Sequence, residues 1–314
     1  MTIVFFGSSE FSIPSLRQFL SSRHNVLSLV TQPDRKKGRS LKLLPTPTKI
    51  LAGSHGIAVH QPEAASSPES IRHLQCLKPD IFVVVSFGQI LKKELLGVPR
   101  LCSINLHASL LPRYRGAAPV NWAVINGETK TGVTVMRMNE KMDAGDIIAT
   151  QELDIDEEDN ALTVNERLAD IGAKVLLDVI ELIEKGLAIF RKQDETFATY
   201  APKLKKEDGL IDWRKSAEEI HNRVRGLVPW PGAYTYYSGK VIKIIRTELE
   251  TVPREGSVNN PGAVEEIVKG KGMTVGTGSG ALMVTHLQLE GKKAFDTDAF
   301  LRGHRITKGT ILGA

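Results

Sequence analysis

Apolar runs alternate with segments of helical spacing through the first part of the chain. Residues 2–6 are apolar almost throughout and stop at Gly7, the pattern of a strand buried on both faces. Ser12, as N-cap, and Pro14 in the first turn then predict a helix with Leu16, Phe19 and Leu20 on one side. Residues 26–30, 57–59, 81–85 and 103–106 repeat the strand pattern, with helical stretches ahead of the last two. Strands alternating with helices predict a parallel sheet covered on both faces. Right-handed crossovers align the strand C-terminal ends along one edge, and ligands of such sheets bind outside it. Val85-Ser86-Phe87-Gly88 and Leu106-His107 both fall there.

Residues 133–138 and 147–153 predict two further strands, joined by a loop that holds Asp143. Thr163 with Glu166 predicts a capping box. It opens a long helix with Leu168, Ile171, Val175, Leu176, Val179, Leu182 and Ile183 at helical spacing and Gly186 as its stop. Periodicity lapses over 190–206, which reads as a linker. Residues 216–224 are helical. Then 233–237, 241–247, 262–267, 273–276 and 282–288 are short β-rich runs punctuated by glycines, the pattern of a small barrel.

A length of 314 residues suits two domains, and 41% hydrophobic with 25% charged residues is ordinary globular composition. The net charge of +5 supports a nucleic-acid partner only weakly. The two cysteines, Cys76 and Cys102, form no Cys-x-x-Cys pair. That excludes a disulfide framework and leaves a zinc site without ligands at usual spacing, so a reduced compartment is expected. Residues 1–7 lack the basic segment and cleavage pattern of a signal peptide, and no apolar run reaches membrane-spanning length. A cytoplasmic protein with no membrane partner is expected.

The stretch Ser103-Ile104-Asn105-Leu106-His107-Ala108-Ser109 carries the densest candidate chemistry. On a strand, Asn105 and His107 project to the same face just before the turn at Pro112. An amide that donates to an oxyanion beside a group titrating near neutrality suits acyl transfer. A turn-capping asparagine beside a satisfied strand-end histidine fits the same pattern. Asp143 before Ala144-Gly145 is likewise a common turn opening as well as a candidate proton carrier. Arg35-Lys36-Lys37-Gly38-Arg39-Ser40-Leu41-Lys42 has five cations and no acid, which is either a solvated loop or a phosphate-contacting one.

Asn105-x-His107-x-Ser109-Leu110-Leu111-Pro112-x-Tyr114-x-Gly116 resembles the signature of the folate-dependent formyltransferases. Met142-Asp143-Ala144-Gly145-Asp146-Ile147 resembles the second element of that family. Thr31-Gln32-Pro33-Asp34-Arg35, Arg115-Gly116-Ala117-Ala118-Pro119 and Val228-Pro229-Trp230-Pro231-Gly232 carry the resemblance along nearly the whole chain. That extent points to the members acting on methionyl initiator tRNA. The resemblance implies an α/β Rossmann-like catalytic domain over 1–189, a linker over 190–206 and an OB-like β-barrel domain binding tRNA over 207–314. It implies transfer of a formyl group from 10-formyltetrahydrofolate to the α-amino group, through a tetrahedral carbon, by Asn105, His107 and Asp143. It places the folate against Ser109, Leu110, Leu111 and Pro112, with Phe87, Gln89, Ile90 and Leu91 on the pterin side, and implies no metal. For Ile90 and Leu91, plain core packing is an equal reading. It assigns Arg35, Lys36, Lys37, Arg39 and Lys42 to the tRNA, with Arg39 the most telling position. Fold analogy extends the basic track to Lys203, Lys205, Lys206, Arg223, Arg225, Lys292, Lys293, Arg302 and Arg305. A monomer is expected.

Other acceptors fit less well. A glycinamide ribonucleotide acceptor needs a phosphate cradle after the first strand, where Gly7-Ser8-Ser9-Glu10 places a carboxylate. An amino-sugar acceptor goes with a sugar-nucleotide module, and no Gly-x-Gly-x-x-Gly fingerprint is present. A hydrolase of the same folate carries a long dehydrogenase domain in its bifunctional relatives. A non-catalytic RNA-binding relative has no use for Asn105, His107 and Asp143 together.

Overall fold

The structure, a computed structural model, describes residues 1–37, 42–249 and 260–313. The chain folds into two compact units. One comprises Met1–Pro119, Lys130–Asp154 and Asn165–Ala201; the other comprises Val120–Thr129, Ile155–Val164 and Pro202–Ala314.

The strands of the first unit are β1 (Thr2–Gly7), β2 (Asn25–Val30), β3 (Arg35–Lys37), β4 (Lys42–Leu44), β5 (Ala58–His60), β6 (Ile81–Val85), β7 (Cys102–His107), β8 (Arg115–Gly116), β9 (Lys130–Arg137), β10 (Ile147–Asp154) and β11 (Tyr200–Ala201). Seven of them form one sheet in the order β10-β9-β7-β6-β1-β2-β5. From β7 through β5 the pairing is parallel, as the alternating pattern predicts. The two strands flanking Asp143 add as an antiparallel hairpin, β9 against β7 and β10 against β9, so the sheet is mixed. Helices α1 (Ile13–Leu20), α2 (Pro47–Ser54), α3 (Pro68–Cys76) and α4 (Lys93–Leu96) connect the parallel strands. The apolar runs fill the core, where Phe6 packs tilted on Phe82 at 4.9 Å and edge-on to Phe87 at 5.4 Å between ring centroids.

Two helix starts differ from the sequence reading. Ser12 precedes α1 but makes no side-chain cap; its hydroxyl donates to the Val85 carbonyl at 2.6 Å and ties the start of α1 to the end of β6. The long helix, α6 (Ala161–Glu184), follows α5 (Pro119–Ile125) in the chain and opens at Asn160. The Asn160 Oδ1 accepts from the backbone N–H groups of Leu162 and Thr163, while the Thr163 hydroxyl turns to Asp159 and the Asn160 carbonyl. An asparagine amide oxygen meets the first orphan amides better placed than a hydroxyl one turn on. Gly186, at φ +69°, stops the helix as expected. Leu182 lies exposed, and Ala169, Ala173 and Ile180 are buried. Small residues let α6 approach the sheet: a Cβ on Gly172 would meet Leu106 Cδ2 at 2.6 Å. Leu106 thus faces α6, and Asn105 and His107 point from the opposite face of β7.

The second unit is an antiparallel sheet. Its strands β12 (Ala233–Tyr237), β13 (Lys240–Leu249), β14 (Val264–Val268), β15 (Gly272–Gly276) and β16 (Ala281–Leu289) pair in the order β12-β13-β16-β15-β14, and β17 (Phe295–Asp296) joins β16. Helix α7 (Ala217–Gly226) begins with a capping box between Ser216 and Glu219 and packs on β13; α8 (Thr297–Leu301) follows β17. Trp213 is buried, its indole N–H bonded to Thr235, whereas Trp230 is exposed.

His221 lies within this unit, with Nδ1 at 2.9 Å from the Thr247 hydroxyl. Burial first, then the Arg225 charge, pushes its pKa down to about 4, against smaller opposing effects of Glu158 and Glu248. The folded state therefore holds the ring neutral. Its contribution is present above the unfolded value of 6.5 and is lost as pH falls toward 4. We expect the melting temperature to drop through that window, and His221→Gln to flatten the drop; a pH series of thermal melts on both chains checks this.

Candidate active site

The site lies in the first unit where β7 gives way to a turn. Asn105 Nδ2 donates to the Val84 carbonyl at 3.2 Å. A carbonyl only accepts, so that bond orients the amide and leaves a second N–H of the same nitrogen for another acceptor. His107 is buried, and its Nε2 lies 2.9 Å from the Tyr114 carbonyl. By the same logic Nε2 carries a proton, and Nδ1 is the nitrogen left to change its protonation. Nδ1 faces Asp143 Oδ2 at 3.7 Å. A proton added to Nδ1 would lie between ring and carboxylate. The separation exceeds a direct hydrogen bond.

Asp143 is held from two sides. Its Oδ2 accepts from the Gly116 N–H at 2.8 Å, and its backbone sits at φ +50°, a left-handed conformation costing a non-glycine residue roughly 1–2 kcal/mol. Its carbonyl and that of Gly145 both accept from Gln193 Nε2, at 2.9 and 2.8 Å. Gly145 permits the close return of the loop, since a Cβ there would stand 1.7 Å from the Arg137 carbonyl oxygen. Asp146 pairs with Arg137 at 2.7 Å and so ties the loop to β9.

Ser109 and Leu111, within the signature, are committed to the turn itself. The Ser109 hydroxyl donates to the Arg113 carbonyl at 2.6 Å, and the Ser109 carbonyl accepts from Thr134. Leu111 is buried, its N–H bonded to the Thr134 hydroxyl. Leu110 and Pro112 are half-buried, with Leu110 packed over Gly132. Of the residues expected on the pterin side, Phe87 and Leu91 belong to the hydrophobic core. Gln89 is tied to the 62–65 loop, accepting from Ala65 N–H and donating to the Pro62 and Glu63 carbonyls. Ile90 is 78% exposed, so core packing holds for Leu91 and fails for Ile90. Among the described residues, the backbone groups of Gly88, Ile90 and Leu91 make no hydrogen bond to another described residue.

Buried Arg115 and the segment from Gln193 to Ala201 are the residues sequence reasoning missed. Arg115 donates to Gln193 Oε1 and pairs with Glu195 at 2.8 Å; the Glu195 carboxylate raises its pKa. β11 runs parallel to β8, and the Thr199 hydroxyl accepts from the Tyr114 N–H. No periodicity or motif marks these positions. Only the quoted Arg115-Gly116 pair gave a signal. Cys102, whose thiol burial pushes up to about 11, stays protonated and inert.

The basic segment is a hairpin rather than a plain loop: β3 pairs antiparallel with β4, Arg35 opposite Leu44 and Lys37 opposite Lys42. Arg35 and Lys36 are exposed, as are Leu43 and Leu44. Arg39 lies outside the described residues. Asp34, at the hairpin's foot, is bound by Lys49 Nζ and Gln61 Nε2, both at 2.7 Å, which lowers its pKa. Of the later basic residues, Arg225 donates to the carbonyls of Asp156, Glu157 and Asp159, and Arg223 to that of Asp208, which makes both structural. Among the described residues no cluster of three His, Cys, Asp or Glu side chains is arranged to hold a metal ion, and no helix is long and apolar enough to cross a membrane.

Two family models match the chain: Formyl transferase over residues 1–180, and Formyl transferase, C-terminal domain over 203–305. The methionyl-tRNA formyltransferase of Geobacter sulfurreducens is 44% identical over 313 residues, covering 100% of this chain and 97% of that protein. That of Caldanaerobacter subterraneus is 44% identical over 314 residues, covering 99% of this chain and 100% of the relative. Among solved structures, the sugar 3N-formyl transferase WlaRD superposes with a TM-score of 0.69 at 20% identity over 93% of this chain and 99% of its own. The methionyl-tRNA formyltransferase of Clostridium thermocellum superposes with a TM-score of 0.55 at 17% identity, over 80% of this chain and 94% of its own.

Gly145→Ala is expected to destabilise the chain by roughly 1–3 kcal/mol, because the added methyl meets backbone. Gly53→Ala, in α2 with nothing within 4 Å of its Cβ position, is expected to gain about 0.5 kcal/mol. Urea unfolding of the two variants checks the contrast.

Proposed function

Because this chain belongs to the formyl transferase family, we propose that it transfers the formyl group of 10-formyltetrahydrofolate to the α-amino group of methionyl initiator tRNA, in the cytoplasm and as a monomer. The observation that carries this reading is the approach of His107 to Asp143, 3.7 Å apart from two separated segments, with Asn105 two residues before His107 on the same face of β7. Full-length identity of 44% to methionyl-tRNA formyltransferases, against 20% to the sugar-acting WlaRD, supports the tRNA acceptor.

Attack of an amine on a formyl carbon puts negative charge on oxygen and a surplus proton on nitrogen. The free N–H of Asn105 is the donor for that oxygen; one such donor is typically worth roughly 3–4 kcal/mol of barrier. His107, with Nε2 fixed as a donor, offers Nδ1 as the base that takes the amine proton. As the tetrahedral carbon collapses, the bond to the folate nitrogen breaks, that nitrogen receives the proton from the imidazolium, and tetrahydrofolate leaves. Asp143 stands behind that proton. Its Oδ2, held in place by the Gly116 N–H, lies beside the ring, where it orients the imidazole and balances the charge the ring gains.

The residues present fit a folate. The open backbone of Gly88, Ile90 and Leu91 supplies donors and acceptors for a pterin edge, exposed Ile90 supplies an apolar contact, and Leu110 and Pro112 border the other side. Phe87, Gln89, Leu91, Ser109 and Leu111 shape this wall from behind. We assign Arg35, Lys36, Lys37, Arg39 and Lys42 to tRNA phosphates and residues 207–314 to a supporting tRNA-binding domain, with 190–206 leading into it.

Formyl transfer to charged initiator tRNA, read by mass of the aminoacyl product, tests the reading. We expect His107→Ala to lower turnover by about 10²-fold or more; near-normal turnover would exclude the base role. A combined Lys36, Lys37 and Arg39 to Ala variant should bind tRNA more weakly. Its log affinity should fall with log salt on a slope shallower by up to about 2. An unchanged slope would remove the hairpin from the tRNA interface.

A further inference from the structure

We propose that Gln193 is a positioning residue for the reaction, setting the Asp143 carboxylate against His107 without itself touching substrate. The inference rests on the formyl-transfer reading above and concerns a residue that lies 50 positions from Asp143 in sequence.

Gln193 uses every hydrogen-bonding valence of its amide. Nε2 donates to the carbonyls of Asp143 and Gly145, and Oε1 accepts from Nε and Nη2 of Arg115 at 3.1 and 2.7 Å. Only a primary amide can donate twice and accept twice at such a node. A carboxylate would repel both carbonyls, and an aliphatic chain would bond to neither. The two carbonyls belong to the residues around the left-handed turn at Asp143, a conformation that persists only where its surroundings fix it.

The same strap reaches the imidazole. Arg191 exchanges two backbone bonds with Ile147 just past the Asp143 loop. Thr199 then accepts from the Tyr114 N–H through its hydroxyl and from the Arg115 N–H through its carbonyl. Tyr114 supplies the carbonyl that orients His107, and Gly116, beside the Ala201 carbonyl, supplies the N–H that holds Asp143. Both members of the pair are thus referenced to one short segment, and Gln193 is its contact to the carboxylate loop. A misplacement near 1 Å at a reacting group costs about 10²-fold in rate.

The test is a double-mutant cycle in steady-state formyl transfer with the full chain, comparing Gln193→Met, Asp143→Asn and the pair. The proposal expects Q193M to lose about 10–100-fold in kcat, with KM for folate and tRNA within about twofold of wild type. It expects the double variant to be no slower than D143N alone, because both changes remove the same contribution. Gln193→Glu, of equal size, should lose as much as Met, which separates donation from packing. Near-normal kcat, a rise in KM alone, or losses that multiply in the double variant would overturn it. Should Q193M fail to fold, Glu195→Gln enters the same cycle from the exposed end of the Arg115 pair, with a several-fold loss and the same non-additivity expected; additivity there overturns the proposal equally. A wild-type chain that transfers no formyl group overturns the functional reading itself, whereas an active wild type with an additive cycle overturns only the role of Gln193.

Discussion

The bond from the Gly116 amide to the Asp143 carboxylate joins the two pieces of chemistry in this fold. One end belongs to the turn that follows β7, and the other to a loop between two antiparallel strands at the sheet edge. Each segment has its own internal ties: Ser109 to Arg113 in the turn, Asp146 to Arg137 in the loop. To the pairing of β7 with β9 and the Gln193 strap, this bond adds a direct tie between the turn and the carboxylate itself. A backbone N–H is a stiff donor, and a carboxylate receiving one is held in direction as well as in distance. The proposed proton transfer needs that constraint, since its rate depends steeply on geometry.

Much of this was legible in the chain. The buried strands announced themselves because a strand covered on both faces must be apolar throughout, and residues 81–85 were bounded correctly for that reason. Asn105 and His107 were legible as a pair because strand periodicity alone puts them on one face. Helix starts were less legible. Ser12 has a capping side chain but spends it on Val85, and Asn160 took the role expected of Thr163. Several residues within a few positions can fill an N-cap, and tertiary partners decide among them.

The segment from Arg191 to Ala201 was illegible for a different reason. Its order comes from single hydrogen bonds to distant residues, and such bonds leave no period in the sequence. Gln193, Glu195 and Thr199 look like any polar linker until Arg115 and Asp143 are seen beside them. The pterin-side assignments show the converse. Phe87 and Leu91 have the composition of a ligand wall and pack in the core, while Ile90 beside them is exposed.

The two compact units are braided through the primary structure: the chain changes unit after Pro119, Thr129, Asp154, Val164 and Ala201. The consequence falls on anyone who would dissect the molecule. A recombinant fragment beginning near residue 202 leaves behind the carbonyls of Asp156, Glu157 and Asp159, which accept from Nη1 of the half-buried Arg225 guanidinium. It also leaves behind Asn121, whose amide closes onto the Gly226 carbonyl at the end of α7. Excising the carboxy-terminal third at residue 202 therefore strips Arg225 Nη1 of its carbonyl partners and opens a helix end, and a faithful isolated piece has to carry the two short upstream excursions with it.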